Sequence, residues 1–176
     1  MKVRDKNFKP YMSGKEIADI VASLAKQLNN DLRDKDPLFL GVLNGSFIFA
    51  SDLLRAIDFD AQISFIKMSS YSGTSTTGTV KQLIGINEDL TGRTLVIVED
   101  IVETGISMEK LLAMLREKNP ADIKICTLFF KPGKFQNDFK IDYIGKSIGD
   151  DYIVGYGFDY NGYGRNLGQI YVIDNQ

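Results

Sequence analysis

Apolar residues recur along the chain with two spacings, one typical of helices and the other of strands. From Ile17 to Leu28 they return every three or four positions, which predicts an amphipathic helix. Ser13 and Glu16 precede this stripe with the spacing of a capping box, so the helix should begin there. Asn29 and Asn30 are expected to end it. The same spacing predicts two further helices, over 47–56 and 108–118.

Largely apolar runs between these helices predict buried strands. The runs are 38–43, 95–98 and 123–130. Such runs are typical of parallel strands covered on both faces. Residues 61–68 alternate in polarity and predict a half-buried strand, and 80–86 predicts the strand that returns beside it. Strand, turn and helix thus follow one another repeatedly, which favours an α/β fold with a mostly parallel sheet, while 1–12 reads as an irregular arm or a short edge strand.

The most informative stretch follows the run 95–98. Glu99 and Asp100 come directly after it, and Glu103 follows three positions later. Thr104 to Ser107 then lead into the predicted helix 108–118. Open α/β sheets bind ligands at the carboxyl ends of their strands, and helix starts bind phosphate through free N–H groups. This stretch therefore predicts acceptors for hydroxyls or a metal beside a phosphate cradle.

The segment Val96–Ser107 resembles the phosphoribosyl-pyrophosphate signature of the phosphoribosyltransferases, most closely the hypoxanthine-guanine branch. The resemblance extends from about Leu40 to the end of the chain. It implies one type I phosphoribosyltransferase domain over 1–176, with a mostly parallel central sheet flanked by helices and a small hood built from the terminal segments. It also implies transfer of a 5-phosphoribosyl group to hypoxanthine or guanine, giving IMP or GMP and pyrophosphate. A response-regulator receiver domain is the alternative for an acid pair after a strand, but there the pair lies near the N-terminus.

The resemblance assigns roles to the residues of the signature. It implies that Glu99 and Asp100 bind the ribose hydroxyls and contribute to a Mg²⁺ site. It also implies that four neighbouring residues bind the 5′-phosphate, namely Thr104, Gly105, Ile106 and Ser107. Glu103 becomes the acceptor of the purine proton. The hypoxanthine branch typically has Asp at that position, so the longer side chain is a departure from the family pattern.

Other segments carry further roles by resemblance. Asn44 and Gly45 match the loop that holds pyrophosphate through its backbone, which often contains a non-proline cis peptide and commonly has Lys in place of Asn44. Ser70 and Tyr71 match the catalytic loop that closes over the reacting centre. Lys131 is expected to donate to the exocyclic oxygen of the purine.

The C-terminal segment 151–167 interleaves aromatic residues with glycines and resembles the family closely, including Val-Gly-Tyr-Gly-Phe-Asp-Tyr. Tyr152 is expected to stack on the base, and Ile153 to present its backbone to the base edge. Asp159 is expected to bind Mg²⁺, and Arg165 to meet pyrophosphate.

The composition limits which residues can act as acids and bases and which partners are expected. The 176 residues carry a net charge of -2, one cysteine and no histidine. Acid–base chemistry must therefore use Asp, Glu, Lys or Tyr, and neither nucleic acid nor a membrane is an expected partner. The cytoplasm is the expected location. A nucleic-acid-binding regulatory relative and a xanthine-preferring transferase remain alternatives, and the resemblance suggests a homodimer or homotetramer.

Overall fold

A computed structural model describes residues 1–69 and 81–174. The elements follow in the order β1 (Lys2–Val3), β2 (Lys6–Met12), α1 (Gly14–Leu32), β3 (Leu38–Leu43), α2 (Phe47–Arg55), β4 (Gln62–Ser69), β5 (Lys81–Ile84), β6 (Thr94–Val102), α3 (Ile106–Arg116), β7 (Asp122–Phe130), β8 (Tyr143–Ser147), β9 (Ile153–Val154) and β10 (Ile170–Ile173).

A six-stranded sheet forms the centre of the molecule, in the order β5-β4-β3-β6-β7-β8. Five of its strands run parallel, and β5 pairs antiparallel with β4 at the edge. The predicted α/β class is therefore confirmed. β6 lies between β3 and β7, with Val98 opposite both Gly41 and Cys126. Because all three strands point the same way, their carboxyl ends meet at one edge of the sheet.

Alternate residues of β6 divide the core between the two faces of the sheet. Val96 and Val98 belong to the core cluster that contains the buried faces of α1 and α2. Leu95 and Ile97 belong to the cluster that contains the buried face of α3. Successive strand residues point to opposite faces, so an unbroken apolar run is what a sheet covered on both sides requires.

The first helix begins as predicted but ends later. The Ser13 side chain accepts from the Glu16 N–H, and the Glu16 carboxylate accepts from the Ser13 N–H, so the capping box is present. The expected end at Asn29 and Asn30 is wrong, since α1 continues to Leu32. Leu32 is buried and extends the apolar stripe by one turn, while the Asn29 side chain binds the backbone of Ala56 and Asp58 instead of ending the helix.

The chain termini build a second, antiparallel sheet in the order β1-β2-β10-β9, which is the predicted hood. The expectation of an irregular arm or a short edge strand at 1–12 holds only for β1, which lies at the edge; it is wrong for β2, which lies between β1 and β10. β9 begins at Ile153, next to Tyr152, so this small sheet positions the start of the C-terminal segment. Among the described residues, none of the helices has the length and apolar character needed to cross a membrane.

We expect Ser13→Ala to lower the free energy of unfolding by about 1 kcal/mol, because it leaves the Glu16 N–H without its acceptor. Urea unfolding measures the change. Ser13→Thr is the control, since it keeps the hydroxyl and should stay much closer to the parent. Equal stability of Ser13→Ala and the parent protein would contradict a stabilising cap.

Candidate active site

The acid pair lies inside β6 rather than after its end. The strand was expected to stop at Val98, but its pairing with β7 continues through Ile101 and Val102, opposite Phe129 and Phe130. The backbone of the pair is therefore held by a central strand. Glu99 lines a cleft together with Ser107 at the start of α3, whereas Asp100 lies against Gly45.

The two carboxylates influence each other. Burial, followed by the charge of Asp100, raises the pKa of Glu99 well above its usual range. Burial also raises the pKa of Asp100, although hydrogen bonds from Glu99 and from the Ile101 N–H at 2.8 Å, and the positive charge of Arg165, act in the opposite direction. The pair is thus costly to hold fully charged. A cation or a set of hydroxyl donors would stabilise its ionised form.

The phosphate cradle begins at Thr104 and runs into the first turn of α3. α3 starts at Ile106, two residues earlier than predicted, so Ile106 and Ser107 both belong to that turn, where backbone N–H groups lack helical acceptors. Gly105 caps the helix with φ of 83°, a left-handed conformation that favours glycine. Carboxylates and phosphate groups are favoured at such a helix start, so the geometry fits the predicted role.

Asn137 fixes this cradle from a distant part of the chain. Its side-chain amide donates to the Thr104 carbonyl at 2.8 Å, and the Gln136 N–H donates to the same oxygen at 3.1 Å. A Cβ atom on Gly105 would lie only 2.7 Å from the Asn137 amide nitrogen. Sequence reasoning missed Asn137, because no local pattern marks a side chain that contacts a residue 33 positions away.

A cleft of about 250 Å³ brings the signature residues together. Its lining comprises Glu99, Ile101, Val102, Glu103, Thr104, Gly105, Ser107 and Met108. The predicted ribose acceptor Glu99, the predicted base Glu103 and the predicted phosphate cradle therefore share one cavity.

The loop after β3 closes the site on the other side. The Leu43–Asn44 peptide is cis, as the resemblance suggested, and Asn44 is exposed. A Cβ atom on Gly45 would collide with the Asp100 carboxylate, and one on Gly157 would collide with the Gly45 carbonyl. The backbone of the loop therefore packs directly between Asp100 and Gly157, and only glycine permits this at positions 45 and 157.

Glu103 and Lys131 form an ion pair. Lys131 Nζ lies 2.6 Å from Glu103 Oε1 and donates to the Asp151 carbonyl at 3.1 Å, and its side chain is only 3% exposed. Lys134 Nζ lies 3.7 Å from Glu103 Oε2. Sequence reasoning gave Glu103 and Lys131 separate roles and did not predict this contact. It follows from the parallel pairing of β6 with β7, whose carboxyl ends place the two side chains together.

The hood segment, residues 155–169 between β9 and β10, contains a second ion pair, between Asp159 and Arg165. Asp159 Oδ2 also accepts from the Gly162 N–H at 2.6 Å, and Arg165 Nη1 donates to the Gly157 carbonyl at 2.6 Å. Tyr152 donates its hydroxyl to the Asp159 carbonyl and keeps 46% of its surface exposed. Ile153 is buried in β9 beside it. Ser70 and Tyr71, the predicted catalytic-loop residues, lie outside the described residues.

The carboxylates of the site suit Mg²⁺, which takes part of its coordination shell from water and substrate, better than a metal ion that needs all its ligands from the protein. Within residues 1–69 and 81–174, no three acidic or cysteine side chains cluster closely enough to hold a metal ion. Mg²⁺ commonly binds one or two carboxylates and completes its shell with water and substrate phosphate oxygens. The part-buried pair Glu99 and Asp100 supplies such carboxylates, while Asp159 is engaged by Arg165.

We expect Gly45→Ala to lower the free energy of unfolding by about 1–3 kcal/mol, because the added methyl group must displace Asp100 or the loop. The midpoint of urea unfolding measures this. Gly168→Ala is the matched control, since a Cβ there meets no atom within 4 Å. If the two variants unfold at the same urea concentration, the close approach of Gly45 to Asp100 is not real.

Comparison with known proteins supports the resemblance. Residues 9–161 match the model of the phosphoribosyl transferase domain. The hypoxanthine-guanine phosphoribosyltransferase of Aquifex aeolicus is 33% identical over 175 residues, which cover 98% of this chain and 98% of that protein. The hypoxanthine-guanine-xanthine phosphoribosyltransferase of Tritrichomonas foetus is 40% identical over 153 residues, 86% of this chain and 84% of that protein.

Solved structures of related proteins match this fold. The crystal structure of a hypoxanthine-guanine phosphoribosyltransferase from Bacillus anthracis matches with a TM-score of 0.89 at 36% identity, over 97% of this chain and 100% of that one. The receiver-domain alternative is therefore wrong. The chain belongs to the phosphoribosyltransferase family, has its type I fold, and falls among relatives of the hypoxanthine-guanine branch.

Proposed function

We propose that residues 1–176 act as one cytoplasmic purine-salvage domain that transfers the 5-phosphoribosyl group from phosphoribosyl pyrophosphate to hypoxanthine or guanine, giving IMP or GMP and pyrophosphate. The observation that carries the proposal is the shared cleft, in which Glu99 and Glu103 face the first turn of α3, while Asp100 lies beside it against Gly45. This arrangement places hydroxyl acceptors beside a phosphate cradle, as a phosphorylated sugar requires.

The proposed chemistry uses the acid pair twice. Glu99 and Asp100 accept hydrogen bonds from the ribose hydroxyls and thereby orient the sugar. As the bond to pyrophosphate breaks, the ribose ring becomes positively charged beside these carboxylates. Their negative charge then stabilises the transition state more than the ground state, which is the condition for rate acceleration. The backbone from Thr104 to Ser107 holds the 5′-phosphate and keeps the sugar from shifting.

Countercharge for the leaving pyrophosphate comes from three sources in this proposal. Mg²⁺, held by one or two carboxylates of the set Glu99, Asp100 and Asp159 together with water and substrate oxygens, would neutralise the charge that develops on pyrophosphate. Arg165 donates from the hood, once it exchanges its partner Asp159 for the ligand. The Asn44–Gly45 backbone donates from the loop after β3. Asn44 supplies no charge where the family commonly has Lys, so more of the countercharge falls to Arg165 and the metal.

The purine would bind between Lys131 and Tyr152. Lys131 donates to the exocyclic oxygen, which favours 6-oxopurines over adenine, and Tyr152 offers its exposed ring for stacking. Ile153 contributes its backbone, and Ser70 and Tyr71 close over the reacting centre. Glu103 takes the proton from the purine nitrogen. Its ion pair with Lys131 means that one bound base engages both partners of a pair already in contact.

Two alternative functions are supported to different degrees. Use of xanthine as a further base, the first step toward the xanthine-preferring alternative, gains support from the Tritrichomonas foetus relative, whose name lists xanthine after hypoxanthine and guanine and which is 40% identical. A nucleic-acid-binding regulator is disfavoured, because the slightly acidic net charge of -2 gives the chain no general attraction to nucleic-acid phosphates. Assembly as a homodimer or homotetramer stays a prediction.

A pyrophosphate-release assay tests the function. We expect release with phosphoribosyl pyrophosphate, Mg²⁺ and hypoxanthine or guanine, much less with xanthine, and none above background with adenine or uracil. Omitting Mg²⁺ or adding a chelator should abolish it. Equal or faster release with xanthine would favour the second candidate, and no release with any base would refute the transferase proposal.

We expect Glu103→Gln to slow base transfer by roughly 10²-fold or more, since a general base of this kind contributes about that much. Binding of the donor should change little, because the amide still fills the same space and the phosphate cradle is intact. Single-turnover kinetics measure transfer, and calorimetric titration measures donor affinity.

Glu117→Gln makes the same chemical change at the exposed end of α3 and serves as its control. It should retain the parent rate. Equal turnover of Glu103→Gln and the parent protein with several purines would remove Glu103 from the mechanism.

A further inference from the structure

We propose that the hydrogen bond between Tyr156 and Asp52 is a positioning contact, which sets the Asn44–Gly45 loop and Arg165 in the geometry that binds pyrophosphate. The inference rests on the proposed function for the identity of that ligand. Neither residue carries a role by resemblance to the family, and neither lines the cleft between β6 and α3.

The contact joins two distant segments. Tyr156 Oη donates to Asp52 Oδ2 at 2.7 Å, across 104 positions of sequence. Asp52 lies on α2, which begins directly after the loop, and Tyr156 lies in the hood segment that contains Arg165. The Tyr156 ring is 7% exposed and belongs to the main core cluster, whereas the Asp52 side chain is 42% exposed and lies 3.9 Å from Arg55.

Gly157, the residue after Tyr156, links the position of Tyr156 to the Asn44–Gly45 loop and to Arg165. Gly157 lies directly against the Gly45 carbonyl, so a small shift of the hood segment must move the loop or open a gap. The Gly157 N–H donates to the Arg165 carbonyl at 3.0 Å, and the Gly157 carbonyl accepts from Arg165 Nη1 at 2.6 Å. One glycine therefore contacts both groups that are proposed to hold pyrophosphate, and the preceding side chain anchors it to α2.

The hydroxyl group, rather than the ring, carries this role. Phenylalanine would fill the core equally well, as Phe158 and Phe129 do nearby. The Tyr156 backbone has φ of 50°, a conformation that bulky residues rarely adopt, and its N–H donates to the Leu167 carbonyl at 2.8 Å. Burial, and then Asp52, raise the pKa of Tyr156, so the hydroxyl remains a neutral donor.

Tyr143 provides a matched control. It is equally buried, at 6% exposure, and donates its hydroxyl to Asp31 Oδ2 at 3.0 Å. It lines a separate cavity with Thr94 and Asp122, the residues at which β6 and β7 begin. Tyr143→Phe thus removes the same kind of hydrogen bond from the opposite end of the sheet.

The experiment compares Tyr156→Phe, Asp52→Ala and Tyr143→Phe with the parent protein. Amide hydrogen exchange is followed in peptides covering 43–47 and 155–165, and in the core strand β7 as a reference. Steady-state kinetics give KM for phosphoribosyl pyrophosphate and for hypoxanthine. Asp52→Asn tests rescue, since its amide oxygen can still accept from Tyr156.

We expect Tyr156→Phe and Asp52→Ala to speed exchange in both site segments but not in β7. They should raise KM for phosphoribosyl pyrophosphate roughly threefold to tenfold, the effect of losing one hydrogen bond, with KM for hypoxanthine within about twofold. Asp52→Asn should restore most of both values, and Tyr143→Phe should change neither.

Parent-like exchange at 43–47 and 155–165 in Tyr156→Phe would overturn the inference, as would a uniform increase that includes β7. So would a parent-like KM for the donor. Exchange does not require turnover, so a parent protein without transferase activity would refute the proposed function while exchange still decides whether this contact positions the loop.

Discussion

The burial of two adjacent carboxylates, Glu99 and Asp100, is the constraint around which the site is arranged. Burial raises the pKa of both side chains, and the charge of Asp100 raises the pKa of Glu99 further, so the ionised pair is costly. The hydrogen bond from the Ile101 N–H and the positive charge of Arg165 offset part of this cost at Asp100. The carboxyl edge of the sheet therefore keeps a negative potential that these groups do not cancel. A ribose that becomes cationic, or a magnesium ion, would complete that balance.

The architecture follows from holding this pair in a fixed place. β6 lies between two parallel neighbours and is covered by helices on both faces, so its backbone has little freedom. The loop after β3 and the hood segment then approach from the sides. Both use glycine at the point of contact, Gly45 against Asp100 and Gly157 against Gly45. Backbone groups can lie this close together only where no side chain intervenes, and backbone N–H groups are suitable donors for a polyanion.

Local signals made much of this predictable from the sequence. The capping box at Ser13, the apolar runs of the parallel strands and the signature around Glu99 each depend on residues a few positions apart. The helix end at Leu32 was missed because one more buried turn outweighed the two asparagines. Contacts between distant segments were missed for a different reason. Thr104 with Asn137, and Asp52 with Tyr156, are ordinary polar residues until the fold brings them together.

The pair of Glu103 with Lys131 shows how a family departure and a tertiary contact bear on one another. A glutamate reaches about 1 Å or somewhat farther than the aspartate typical of the branch, and here its carboxylate lies 2.6 Å from a lysine with a 3% exposed side chain. A buried lysine needs an anionic partner, so Glu103 stabilises Lys131 before any base is bound. A 6-oxopurine can replace each partner with a complementary group, its exocyclic oxygen for Lys131 and its ring N–H for Glu103. Adenine presents an amino group instead of that oxygen and would leave Lys131 without an acceptor, so preference for 6-oxopurines follows from the desolvation of one charge pair.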